Sequence, residues 1–202
     1  MARRPIISIP RTAQIYQEML WARRELYKDH QFFVMTEAWE KICEENDDWQ
    51  IRAYHSDPSV PVKHKAGVVF FNGRMTLTTD QRLLDDAEKG CRISNFILAH
   101  ELGHVALGHH ATGAVVKNFQ LFDGPTGLSN LPPTVEELEA NYAAAFFQCG
   151  AALSDLRWGV LDLARRAASD VTYVKHARSA VLLPGFQVAL DKLSTPNPRV
   201  VL

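Results

Sequence analysis

Between Thr12 and Lys28, Ile15, Met19, Ala22 and Leu26 fall on one stripe, with Arg23, Arg24 and Glu25 largely off it. That spacing predicts a helix with one inward face. Phe32 to Glu45 predicts a second helix with Met35, Trp39, Ile42 and Cys43 inward, broken by Asn46-Asp47-Asp48. The period then changes. Trp49 to His55 alternates, with Trp49, Ile51 and Ala53 apolar, as a half-buried strand does. After a turn signal at Asp57-Pro58-Ser59, Ala66–Phe71 and Met75–Thr78 flank Asn72-Gly73, the strongest short hairpin signal.

A helical run follows from about Cys91 to Leu107, stopped by Gly108 as a residue just past a helix end. His109 to Pro133 is punctuated by glycine and proline and predicts a long loop at a site rim. Thr134-Val135-Glu136-Glu137 after two prolines is a capping signature. It opens a helix with Leu138, Tyr142, Ala145, Phe146 and Cys149 as its apolar stripe. Helices are expected over Leu153–Ala168 and Thr172–Leu183, and a frayed tail from Ser194. The fold class expected is α+β, helices around a small, partly antiparallel sheet. The segments are N-terminal helices over 1–48, a core over 49–150, C-terminal helices over 151–193 and a tail over 194–202, all within one domain.

Composition changes this picture little. Apolar residues make up 47% of 202 residues, enough for a buried core. The formal net charge of −1 argues against bulk nucleic-acid binding. Cys43, Cys91 and Cys149 are odd in number and widely spaced, which suits buried thiols in a reducing cytosol. The opening Met-Ala-Arg-Arg-Pro lacks the apolar run of a signal peptide, and no segment is apolar enough to span a bilayer. A cytoplasmic protein is expected.

Chemistry enters with His100-Glu101-Leu102-Gly103-His104. On a helix, i and i+4 share a face, so both imidazoles can reach one zinc ion. Glu101 then stands where a carboxylate can take a proton from a water that the metal activates. A catalytic zinc takes three protein ligands and keeps a position for water. A metzincin-type third histidine would be His110, but the glycine that pattern needs would fall at Leu107, and here it is Gly108. His109 and His110 are then expected on the loop rim, with a substrate-facing role open to them. The second helix offers Glu136, Glu137 and Glu139. Glu137 and Asn141 share a face and Glu139 lies on another side, while Ala140, Ala143 and Ala144 permit close packing on the zinc helix. Glu137 also competes as the capping-box partner of Thr134.

The run Ala99-His100-Glu101-Leu102-Gly103-His104-Val105-Ala106-Leu107-Gly108-His109 closely resembles the A-H-E-L-G-H-x-x-L-G-H of the ImmA/IrrE-type metallopeptidases. Glu137-Leu138-Glu139-Ala140-Asn141-Tyr142-Ala143-Ala144 is similar to their E-x-x-A-[ND]-x-F-A-A. Leu163 to Val174 resembles, more weakly, a helix-turn-helix-like C-terminal segment of that family. The likeness spans the central and C-terminal two-thirds of the chain. It departs where Arg92-Ile93-Ser94-Asn95-Phe96 replaces R-F-T and where the Met-Pro ending is missing after Phe147. The resemblance implies a zincin-like domain with one Zn2+ per chain on His100, His104 and Glu137. It implies Glu101 as general base and Asn141 as the group orienting a histidine ligand. It also implies a protein partner or substrate such as a helix-turn-helix repressor.

The expected activity is therefore hydrolysis of peptide bonds in a specific regulatory protein. Tyr54, His55, His109 and Tyr142 are candidates for contacting the oxyanion or substrate, with Tyr142 better placed in the core stripe. The rival reading is a metal-bearing module, an anti-repressor or toxin-antitoxin component, that binds without turnover. Arg165, Arg166, Lys175, His176 and Arg178 put some charge on the last helices, but Asp162 and Asp170 interrupt it, so direct DNA binding is not expected.

Overall fold

The structure, a computed structural model, describes residues 6–57, 59, 66–109 and 134–193. The expected rim loop from His110 to Pro133, the Asp57-Pro58-Ser59 turn apart from Asp57 and Ser59, and the tail from Ser194 lie outside the described residues.

Helix α1 (Ile9–Leu26) begins earlier than its stripe predicts because Ser8 caps it and Pro10 suits the first turn. Ile15, Met19, Ala22 and Leu26 are buried as expected. Arg23 corrects the expectation, for it is fully buried. Its guanidinium donates to the carbonyls of Phe147 (2.6 Å) and Gln148 (3.1 Å), and to that of Gln31. Phe147 and Gln148 sit in the last turn of α5 (Val135–Cys149), where carbonyls lack helical partners and a cation meets the negative end of the helix dipole. Gly150 follows at φ 56°, and a Cβ there would stand 2.7 Å from Arg23 Nε, so only glycine leaves the guanidinium its place.

Helix α2 (Met35–Glu45) buries Met35, Trp39 and Ile42, whereas Cys43 is half-buried. The sheet has three strands, β1 (Trp49–Tyr54), β2 (Ala66–Phe71) and β3 (Arg74–Asp80), in the order β1-β3-β2. The hairpin β2–β3 is antiparallel, with Phe71 opposite Arg74, and Asn72 and Gly73 both take positive φ. Strand β1 runs parallel to β3, pairing Trp49 with Met75 through Tyr54 with Asp80.

Helix α3 (Gln81–Glu88) was not expected; Asp80 caps it and it buries only Leu83 and Ala87, too little apolar pattern to announce a helix. Helix α4 (Arg92–Ala106) carries the histidine motif. It is buried from Ser94 to Val105, so it is a central helix rather than one with a single apolar face. Asn95, buried in the stretch that departs from the family pattern, ties α4 to its surroundings. It accepts from the Met35 amide (2.6 Å) and donates to the carbonyls of Ala87 (2.8 Å) and Cys91 (2.9 Å). Trp39 donates to the Leu98 carbonyl (3.1 Å).

Of the stripe expected on α5, Ala145, Phe146 and Cys149 are buried and Leu138 and Tyr142 half-buried, while burial widens to Ala140, Ala143, Ala144 and Phe147. The helix expected over Leu153–Ala168 is divided. A 3-10 turn at Gly150–Leu153 precedes a bend, then α6 (Val160–Arg166), α7 (Val171–Val181) and the unexpected α8 (Pro184–Asp191). Arg178 is buried and donates to the carbonyls of Asp155 (3.0 Å) and Trp158, holding that bend closed. One buried cluster runs from Ala13 to Phe186 and joins the N-terminal, central and C-terminal segments. The fold is mixed α+β. Among the described residues no helix is long and apolar enough to cross a membrane. Cys43, Cys91 and Cys149 are free thiols, and burial pushes that of Cys149 up to about 12.

Candidate metal centre

Helices α4 and α5 cross closely because their facing residues are small. A Cβ added to Gly103 would lie 3.0 Å from the Ala140 carbonyl oxygen and 3.0 Å from the Ala143 Cβ. This confirms the close approach expected from the alanines. Gly103→Ala should wedge the helices apart and cost about 1–3 kcal/mol. Urea unfolding of the variant beside the unaltered chain measures this, and equal midpoints would contradict the tight crossing.

That approach brings three donors together. His100 Nε2 lies 3.0 Å from His104 Nε2 and 3.1 Å from Glu137 Oε2, and His104 Nε2 lies 3.5 Å from Glu137 Oε1. Ligands about 2.0–2.1 Å from a tetrahedral ion stand about 3.3 Å apart, so the spacing fits one shared cation. His100, His104 and Glu137 are the described residues grouped so that they could hold a metal ion. His100 and His104 are buried, and Glu137 is partly buried. Two histidines and a carboxylate suit a borderline divalent metal.

The competition for Glu137 is resolved by dividing the residue. Its backbone amide donates to Thr134 Oγ1 (3.2 Å), capping α5, while its carboxylate turns to the histidines. Burial opposes ionisation of that carboxylate, but the contacts with His100 and His104 outweigh it and hold its pKa far below the ordinary value. Burial lowers His104 to about 4, keeping its ring neutral at physiological pH. For His100, burial pulls the other way from Glu137, Glu101 and Asn141, and the net shift is upward. Asn141 Oδ1 sits 3.0 Å from His100 Nδ1, where it can accept the ring hydrogen and so free the Nε2 lone pair for a cation.

Glu101 is fully buried, and its carboxylate oxygens make no well-formed hydrogen bond among the described residues, the Val68 backbone acting on them only weakly. Burial pushes its carboxyl up to about 7, Glu137 adds to the rise, and His100 and the Val68 backbone oppose it. A buried carboxylate beside a cluster of metal-type donors is a place that a cation and its water at that cluster would satisfy.

Other candidates are placed differently. Tyr54 and His55 are exposed at the end of β1, across the sheet from β2, the strand packed against α4. His109, expected on the loop rim, is buried, with Nδ1 2.9 Å from His104 Nδ1 and Nε2 3.2 Å from Glu139 Oε2. Glu139, on another side of α5 from Glu137, is gripped by Arg11 at 2.8 and 2.5 Å.

Tyr173 of α7 is a neighbour that sequence reasoning missed. It stacks on Phe96 with ring centres 4.4 Å apart, and burial raises its pKa, with Asp170 and Glu137 adding to the effect. Its approach to the motif is a contact between distant helices, and no local pattern announces it. A cavity of about 210 Å³ beside it is bordered by Leu138, Asn141, Tyr142, Tyr173 and His176. No family model, curated protein or solved structure matches this chain.

Proposed function

We propose that this chain is a zinc-dependent peptide hydrolase acting on a specific regulatory protein. The convergence of His100, His104 and Glu137, with the buried Glu101 carboxylate one residue from a ligand, carries this reading. His100, His104 and Glu137 would hold the zinc, which would supply Lewis acidity towards a water and a peptide carbonyl.

The chain's own residues do the rest. A carboxyl near 7 is half-ionised at neutral pH, so Glu101 can accept a proton from water and return it to the leaving amine. Asn141 fixes the His100 ring through Nδ1. The motif resemblance supports a helix-turn-helix repressor as the regulatory protein cleaved, in the cytoplasm.

The test is cleavage of a peptide library and of helix-turn-helix proteins encoded near this chain's gene, followed by mass spectrometry. Hydrolysis should cease on chelation and return when zinc is restored. No hydrolysis of any substrate by the zinc-loaded chain, beside an effect on a partner that Glu101→Gln leaves intact, would favour the binding module instead.

A further inference from the structure

The two imidazoles of the motif are held from behind by different means. Each turns Nε2 towards the shared site and Nδ1 away from it. A ring that offers a lone pair at Nε2 must carry its hydrogen on Nδ1. For His100 that hydrogen meets Asn141, within one motif turn of Glu137. For His104 it meets another imidazole, His109 Nδ1, at 2.9 Å.

Two ring nitrogens can share a hydrogen bond only if one is protonated and the other is not. The hydrogen of His104 Nδ1 therefore requires a bare Nδ1 on His109, and a neutral His109 then carries its hydrogen on Nε2. That atom lies 3.2 Å from Glu139 Oε2, and a carboxylate is an acceptor only. Arg11, a donor only, closes the series with Nε to Oε1 (2.8 Å) and Nη2 to Oε2 (2.5 Å). With the hydrogen on His104 Nδ1, the series runs in one direction from His104 through His109 and Glu139 to Arg11. His104, His109 and Glu139 are buried, and Arg11 is partly exposed.

We propose that His109, Glu139 and Arg11 are an oriented relay that locks His104 in the tautomer with Nε2 free, and that the relay sets metal affinity. It makes Arg11 of α1 a positioning residue for a ligand on α4, so docking of the first helix and loading of the site are linked. This rests on the reading of His100, His104 and Glu137 as a metal centre.

The experiment uses the full chain, stripped of metal and titrated with zinc against a chromophoric chelator. It compares the unaltered protein, His109→Ala, Glu139→Gln, their double variant and Arg11→Gln, each with a thermal unfolding curve of the metal-free form. Removing the group that holds the far nitrogen of a metal-binding histidine weakens metal binding by about 10- to 100-fold. That loss is expected for His109→Ala and Glu139→Gln, and a smaller one for Arg11→Gln. Because the links act in series, the double variant should lose no more than the worse single one. Nitrogen-15 NMR of His104 should show a hydrogen on Nδ1 in the unaltered metal-free chain and a tautomer mixture in His109→Ala.

Unchanged affinity in His109→Ala and Glu139→Gln, or losses that multiply in the double variant, would overturn the relay while leaving the metal centre standing. An unaltered chain that binds no zinc would take down both. If a variant at a buried position fails to fold, Arg11→Gln, altered at a partly exposed side chain, decides: affinity equal to that of the unaltered chain overturns the relay.

Discussion

Glu101→Gln should leave zinc bound and lower peptide hydrolysis by about 10²- to 10⁴-fold, the usual worth of a positioned general base. The amide keeps the shape of the carboxyl and contributes no ligand, so metal content should match that of the unaltered chain. The same change has an opposite signature in the metal-free protein. Glu101 titrates near 7 when folded and at the ordinary 4.5 when unfolded. Between those values the folded chain binds the extra proton, so this carboxyl's contribution to stability declines as pH rises from 4.5 to 7 and then levels off. Replacing it should therefore stabilise the metal-free chain by about 3 kcal/mol above pH 7 and hardly at all near pH 4. Activity and metal content are read on the loaded protein, and urea unfolding across pH on the stripped one. A Glu101→Gln protein that hydrolyses as fast as the unaltered chain would remove Glu101 from the chemistry. Loss of metal with the activity would make it a ligand instead.

Arg23→Met should be the most destabilising single change away from the site. It removes the donor that serves the carbonyls of Phe147, Gln148 and Gln31 in a fully buried place. Each buried acceptor left without a donor costs about 1–3 kcal/mol, and the methionine recovers part of this through apolar contact with Phe33. A net loss of about 3–5 kcal/mol is expected, comparable to breaking a buried ion pair. For a chain of this size that lowers the midpoint of thermal unfolding by roughly 10 °C. Arg23→Lys should fall between, because an ammonium cannot span the same three acceptors. A methionine variant within about 1 kcal/mol of the unaltered protein would show that the end of α5 finds other partners, at odds with the burial of this guanidinium.

What the sequence discloses of the site depends on how local the signal is. His100, Glu101 and His104 lie within one helical turn and a half, and their chemistry is written in their spacing. Asn141 and Glu137 share a face for the same reason, and the structure brings both to the histidines. His109 was misplaced on a rim because its partners, Glu139 and Arg11, come from other helices. Arg23 was misjudged by residue type and the burial of Asn95 was not announced, since arginine and asparagine are mostly exposed and nothing adjacent shows that carbonyl groups await them. The parallel pairing of β1 with β3 is likewise invisible to alternation, which fixes the faces of a strand but not its neighbour. Helix α3 is only eight residues long, and Leu83 and Ala87, though spaced i and i+4, are too few to set it apart from a loop.

The central claim is that His100, His104 and Glu137 form one metal site. Calorimetric titration of the metal-stripped chain with zinc tests it most directly, beside Glu137→Ala and His104→Ala. The unaltered protein should take up one equivalent tightly, with affinity falling as pH drops and the histidines protonate. Each variant should lose that uptake while retaining its fold by circular dichroism. Weak, non-saturating uptake by the unaltered chain, or one tight equivalent in both variants, would contradict the site.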